Sequence, residues 1–136
     1  METNDYVSYE IAKKLKACGF DEPCDAFYLP PMKNRPEPFF SGRVKRSIKN
    51  ESNAFHFSAP TLWHAQKWLR EKKKIDVLVY NCACGYLWGV SKANDGTGLI
   101  SFDEKGDDKD SGCWTTYEGA ISAGISAALQ LIKKGE

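Results

Sequence analysis

Between residues 59 and 135 the chain switches twice between helical and strand periodicity, with a start or stop signal at most junctions. Pro60-Thr61 suits a helix entry, and Leu62, Ala65 and Leu69 recur at helical spacing, which predicts a helix running to about Lys73. Ile75, Val77 and Val79 then alternate with Asp76, Leu78 and Tyr80, and Tyr86, Trp88 and Val90 repeat the two-residue period after residues 81–85, the pattern of an antiparallel hairpin. Asn94-Asp95-Gly96 is a turn signal leading to a third strand at 99–102, and the acidic run 103–112 reads as a loop. The last helix is announced by Thr115 and Glu118 at capping-box spacing and carries Tyr117, Ile121, Gly124, Ile125, Ala128 and Ile132 on one face. Ala120, Gly124 and Ala128 form a ridge of small residues that lets such a helix lie close to a neighbour. These signals predict an α+β fold, a small antiparallel sheet of three to four strands packed against two or three helices, in the order α-β-β-β-α.

The first half is less regular. Ser8 has the chemistry of an N-cap, Ile11, Leu15 and Cys18 share a face, and Gly19 supplies a left-handed stop after which Phe20 can pack back on Leu15. Pro23, Pro30, Pro31, Pro36 and Pro38 then interrupt the chain and leave room for short extended pieces such as residues 26–29. A further short strand is expected at 54–58. The organisation expected is one domain over residues 1–136: an N-terminal helix at 1–20, a proline-rich, partly irregular arm at 21–58, and a helix-sheet-helix core at 59–136.

A net charge of +1 gives no global field that would draw the chain to nucleic acid or membrane. No apolar run is long enough to span a bilayer and the first residues are polar, so a soluble, cytoplasmic protein is expected. Five cysteines, an odd number, without a secretion signal point to reduced thiols.

The candidate chemistry is sparse. Cys82, Cys84 and Cys113 with His56 and His64 lack the paired spacing of a structural zinc site, and neither histidine can be placed beside a thiol, so no catalytic residue, metal or cofactor is expected. Residues 107–112 share the composition of a calcium loop without its alternation of ligands. Two binding surfaces remain. Trp63 and Trp68 flank the buried stripe of their helix and are the candidates for contact with a protein partner or a second copy. Arg43, Lys45, Arg46 and Lys49, with Lys33 and Arg35 before them and Phe39 and Phe40 for stacking, are the alternative, a surface for single-stranded nucleic acid.

The order helix, three strands, helix also resembles double-stranded-RNA-binding domains. Those domains place basic residues at the start of the last helix, where this chain has Asp107, Asp108, Asp110 and Glu118. Duplex RNA is therefore not the expected ligand. Three segments, residues 8–16 with 19–24, residues 59–61 with 66–72, and residues 117–120 with 127–132, together resemble small uncharacterised proteins encoded in prophage and mobile-element regions of gut bacteria. The resemblance spans most of the chain in order and carries no catalytic residues. It implies a non-enzymatic accessory protein that acts by protein-protein interaction or self-association.

Overall fold

Helix α1 (Tyr9–Ala17) starts where extended Ser8 accepts the Ile11 amide on its hydroxyl at 3.2 Å, the cap expected of that residue. It stops at Gly19, whose φ of +93° is left-handed. There the Phe20 amide donates to the Leu15 carbonyl at 2.9 Å and the Gly19 amide to Lys16 at 3.1 Å, the paired bonds of a Schellman ending. Ile11, Ala12, Leu15 and Phe20 are all buried around this helix. The computed structural model describes residues 5–42, 49–50, 55–83, 85–92, 101–102 and 114–134. Within it the chain separates into two compact units, Met1–Thr61 and Leu62–Glu136.

The first unit holds more order than the sequence signals suggest. Strands β1 (Phe27–Leu29), β2 (Phe39–Ser41) and β3 (Phe57–Ser58) form an antiparallel sheet in the order β2-β1-β3, with β1 inside the extended piece expected at 26–29 and β3 inside the strand expected at 54–58. Register explains why such short strands hold. Tyr28 lies opposite Phe40 on one side and Phe57 on the other, so one face of the sheet is a row of three rings. Tyr9 covers that row, with centroids 5.7 Å from Tyr28 and 5.6 Å from Phe57, and Tyr6 packs 5.3 Å from Phe40. The Tyr28 hydroxyl donates to the Val7 carbonyl at 2.8 Å, and burial pushes its pKa up.

The prolines do not break this sheet; they bound it. The β1–β2 ladder ends at Leu29 and Phe39, next to Pro30, Pro31, Pro36 and Pro38, which have no amide hydrogen to donate. Met32 and Arg35, which do, exchange bonds of 2.7 and 3.0 Å around Lys33-Asn34 and close a hairpin tip. Asn50 then ties the unit together: its Nδ2 donates to the Phe20 carbonyl at 2.8 Å and its Oδ1 accepts the Ser58 amide at 2.8 Å. The unit begins and ends on itself, with the Val7 amide donating to Pro60 at 3.0 Å and Tyr6 bridged to Thr61.

The second unit runs α2 (Leu62–Lys72), β4 (Ile75–Cys82), β5 (Gly85–Lys92), β6 (Ser101–Phe102) and α3 (Tyr117–Lys134), helices and antiparallel strands of the expected α+β class. The sheet runs β4-β5-β6, with Val77 opposite Val90 and Val79 opposite Trp88. Those residues face the helices. Leu62, Ala65, Trp68 and Leu69 of α2 and Ala120, Ile121, Ile125, Ala128 and Leu129 of α3 are buried with Val77, Trp88 and Val90. Trp114 extends the outer side of β5 by exchanging two bonds of 2.8 Å with Tyr86. The cap of α3 sits one residue later than its sequence suggests: the Thr116 hydroxyl, not that of Thr115, accepts from the third helical residue, Gly119, at 3.0 Å. The turn at 94–96 and the acidic run lie outside the described residues.

Lys74 joins α2 to β4 with a φ of +59°, the one non-glycine left-handed residue among those described. A side chain there costs about 1–2 kcal/mol, whereas glycine loses only roughly 0.5–1 kcal/mol more backbone entropy on folding. Lys74→Gly is therefore expected to stabilise the chain by up to about 1 kcal/mol in urea denaturation. A lower midpoint would contradict the left-handed turn.

Candidate functional site

The two-residue connection across Ala83-Cys84 fixes the hydrogen-bond phase of β4. Cys82 faces Gly85 directly, and a loop that short closes only when the flanking residues exchange both their bonds. Bonding then alternates along the ladder, so Cys82, Tyr80, Leu78 and Asp76 spend their backbone groups on β5. Asn81, Val79, Val77 and Ile75 aim theirs the other way, off the sheet. Among the described residues nothing pairs with that outer edge as a strand, because β4 is the end of the sheet order. One contact confirms the phase independently: Gln66 Nε2 donates to the Val77 carbonyl at 2.7 Å, which is possible only if that carbonyl points outward.

This bond also orients α2. Positions 63, 66 and 70 share one flank of a helix, so the flank that reaches the outer edge of β4 is the one carrying Trp63. Trp63 is 43% exposed, and Lys67 and Arg70 beside it are exposed as well. On the sheet face away from the helices, Leu78 is 40% and Tyr80 43% exposed, with Asp76 half-buried next to them. An edge strand of eight residues without proline, flanked by an open tryptophan and two open apolar side chains, is a surface suited to association.

The sequence candidates divide accordingly. Trp63 belongs to this surface. Trp68 does not: it is 5% exposed, with the Lys73 ammonium 5.5 Å from its ring centre, and serves the core of its unit. Both tryptophans flank the stripe Leu62-Ala65-Leu69, but α2 buries the Trp68 flank and leaves the other open. Leu78, Tyr80 and the phase of the edge were missed as site features. The signal was present, since apolar residues occupy both faces of 75–80 where a half-buried strand would carry polar ones on the outer face.

Of the basic surface, Arg43, Lys45 and Arg46 lie outside the described residues. Lys33 and Lys49 are exposed. Arg35 is already engaged, donating to the Pro30 carbonyl at 3.0 Å with its guanidinium 5.3 Å from the Phe39 ring centre. Phe40 is packed between Tyr6 and Tyr28 and offers no free ring for a base, whereas Phe39 is exposed.

Among the described residues, reactive groups do not converge. His56 donates through Nε2 to the Lys49 carbonyl at 2.7 Å, and Lys16 donates to the His56 carbonyl at 2.9 Å, so both tie strands and helix together. Cys18 and Cys24 are thiols outside any disulfide. Burial, helped by the neighbouring charges of Asp25 and Glu22, pushes the Cys24 thiol up to about 12, which keeps it protonated and non-nucleophilic at neutral pH. Cys84 and Cys113 lie outside the described residues, as does the Cys82 side chain. Among the described residues no group of three or more histidine, cysteine or acidic side chains is placed to hold a metal ion, and no helix is long and apolar enough to cross a membrane. No family model, curated protein or solved structure matches the chain.

Proposed function

We propose that this chain is a non-enzymatic accessory protein, of the prophage type its sequence resembles, that works by binding protein through the outer edge of β4 and the Trp63 flank of α2. The observation that supports this reading is the coincidence of three open features on one side of the second unit. The strand edge has no strand partner among the described residues, Gln66 alone reaching it at Val77, Trp63 stands beside it, and Leu78 and Tyr80 extend the apolar surface. Backbone bonding to an edge gives affinity with little dependence on sequence, and an aromatic anchor gives selectivity.

The test is affinity capture with the purified chain, comparing wild type with Trp63→Ala and quantifying the captured protein by calorimetry. A hot-spot tryptophan contributes about 2 kcal/mol or more to binding, so a loss of roughly thirtyfold is expected with an unchanged melting curve. Capture indifferent to Trp63 would remove the reading. Binding to a single-stranded oligonucleotide that falls steeply with salt would replace it with the alternative built on Arg43, Lys45, Arg46 and Lys49.

A further inference from the structure

We infer that the partner seated on the Trp63 flank of α2 is an acidic protein segment, one that covers the indole with an apolar side chain and sets carboxylates against Lys67 and Arg70. The inference rests on the proposed reading of that flank as a protein-binding surface and names the chemistry of the partner. It follows from the geometry of the helix. Positions 63, 67 and 70 fall within about 60° of one another around the axis, with Lys67 and Arg70 about 6 and 10.5 Å along it from Trp63. All three side chains are exposed, so they form one stripe, an open ring followed by a cation on each of the next two turns.

A stable partner cannot take the ring and leave the cations. Protein interfaces cover about 800 Å² on each side, a patch roughly 30 Å across, so an interface centred on Trp63 reaches both. Covered without a counter-charge, each cation loses hydration that nothing replaces. Covered by a carboxylate, it gains a charge-assisted hydrogen bond instead. Neither cation is firmly committed within the fold. The Lys67 ammonium stands 3.9 Å from a Glu71 carboxylate, but both side chains are exposed and such a solvent-screened pair yields readily. Among the described residues no carboxylate forms an ion pair with Arg70. The local charge has one prevailing sign, since Lys67, Arg70, Lys72, Lys73 and Lys74 stand against Glu71 alone within residues 67–74. Arg70 and Lys72 also complement the dipole at the end of α2, but that role does not account for Lys67 or for an open indole in line with both cations. A nucleic acid fits less well. Its phosphates recur evenly and would meet Glu71 beyond Lys67, whereas a peptide can carry its carboxylates only where the cations stand. On an extended segment at roughly 3.3 Å per residue, the stripe asks for acidic residues about two and three positions from the apolar one.

The test selects binders to the immobilised full chain from a random peptide library and measures them by fluorescence anisotropy. Selected peptides should carry aspartate or glutamate two or three positions from an apolar residue, and Trp63→Ala should weaken them about thirtyfold. Lys67→Glu combined with Arg70→Glu should weaken them about tenfold or more, chiefly through slower association. Raising salt from about 0.1 to 1 M, which shortens the Debye length from about 10 to 3 Å, should weaken binding to the wild type in the same way. A peptide resynthesised with lysine in place of its acidic residues should prefer the charge-reversed variant to the wild type, a result that a misfolded variant cannot give. Selected peptides with no acidic excess, or binding indifferent to the charge reversal, would overturn the inference. So would a single-stranded oligonucleotide that displaces the peptide as well as an acidic peptide does. If the selected peptides depend on Trp63 but not on charge, the acidic partner falls and the proposed function stands. If no selected peptide depends on Trp63, both fall.

Discussion

Gly124→Leu is expected to lower the stability of the chain by roughly 1–3 kcal/mol, read as a drop in urea midpoint at constant slope. The reason lies at the first atom added. A Cβ built on Gly124 would stand 2.7 Å from Val77 Cγ1 and 3.3 Å from Trp88 Cβ, closer than carbon atoms pack. Val77 is β-branched, fully buried and held by its strand, so it has no rotamer into which to retreat. The contact is large enough to outweigh helix propensity, which by itself favours leucine or alanine over glycine by up to about 1 kcal/mol. Gly124→Ala should therefore also destabilise, though less, and Val77→Ala should recover part of the loss in the double variant because it vacates the space the new methyl needs. A midpoint unchanged by Gly124→Leu would mean that α3 does not cross the sheet at this point.

Phe20→Ala is expected to cost more, about 3–5 kcal/mol, the usual range for removing a fully buried phenylalanine. Phe20 is 1% exposed and sits at the position after the left-handed Gly19, where its amide already closes α1 on the Leu15 carbonyl. Its carbonyl in turn takes the Asn50 side chain that also holds β3. The substitution leaves both backbone bonds in place and removes the ring that keeps them dry. Its effect therefore reports packing, and the companion variant Leu15→Ala, at the same helix end, should combine with it non-additively. A loss below about 1 kcal/mol would be the behaviour of a surface position and would place Phe20 outside the core.

How much was legible follows from where the information is local. The caps and periods of α1, α2 and the β4–β5 hairpin could be read because Ser8, Gly19 and the alternation at 75–80 act on their own neighbours. The small ridge at Gly124 was legible for the same reason, and the structure supplies the sheet residues it approaches. In the first unit the extended pieces at 26–29 and 54–58 were legible but β2 and the pairing were not, because β1 finds β2 and β3 across intervals of ten or more residues. What joins them is ring packing among Tyr6, Tyr9, Tyr28, Phe40 and Phe57, which leaves no periodic trace. Five prolines in a short stretch argued for a partly irregular arm with room for short extended pieces, and those at 30, 31, 36 and 38 fall at the hairpin's far end, where no ladder bond was needed. At the candidate site, the composition of α2 showed two tryptophans on two flanks but not which flank α2 would bury. That was decided by the direction in which Gln66 reaches its carbonyl.

The closure of the first unit on itself has a topological meaning. Because Val7 bonds to Pro60 and Tyr6 is bridged to Thr61, residues 6–61 form a ring in space although they are a segment in sequence. Such a segment can be cut and rejoined without altering its contacts: the two ends lie one strand spacing apart, and the exposed Lys33-Asn34 tip offers a place for new ones. Evolution by insertion works on modules of this shape, since a unit whose entrance is also its exit can be placed in a host loop without parting the strands on either side.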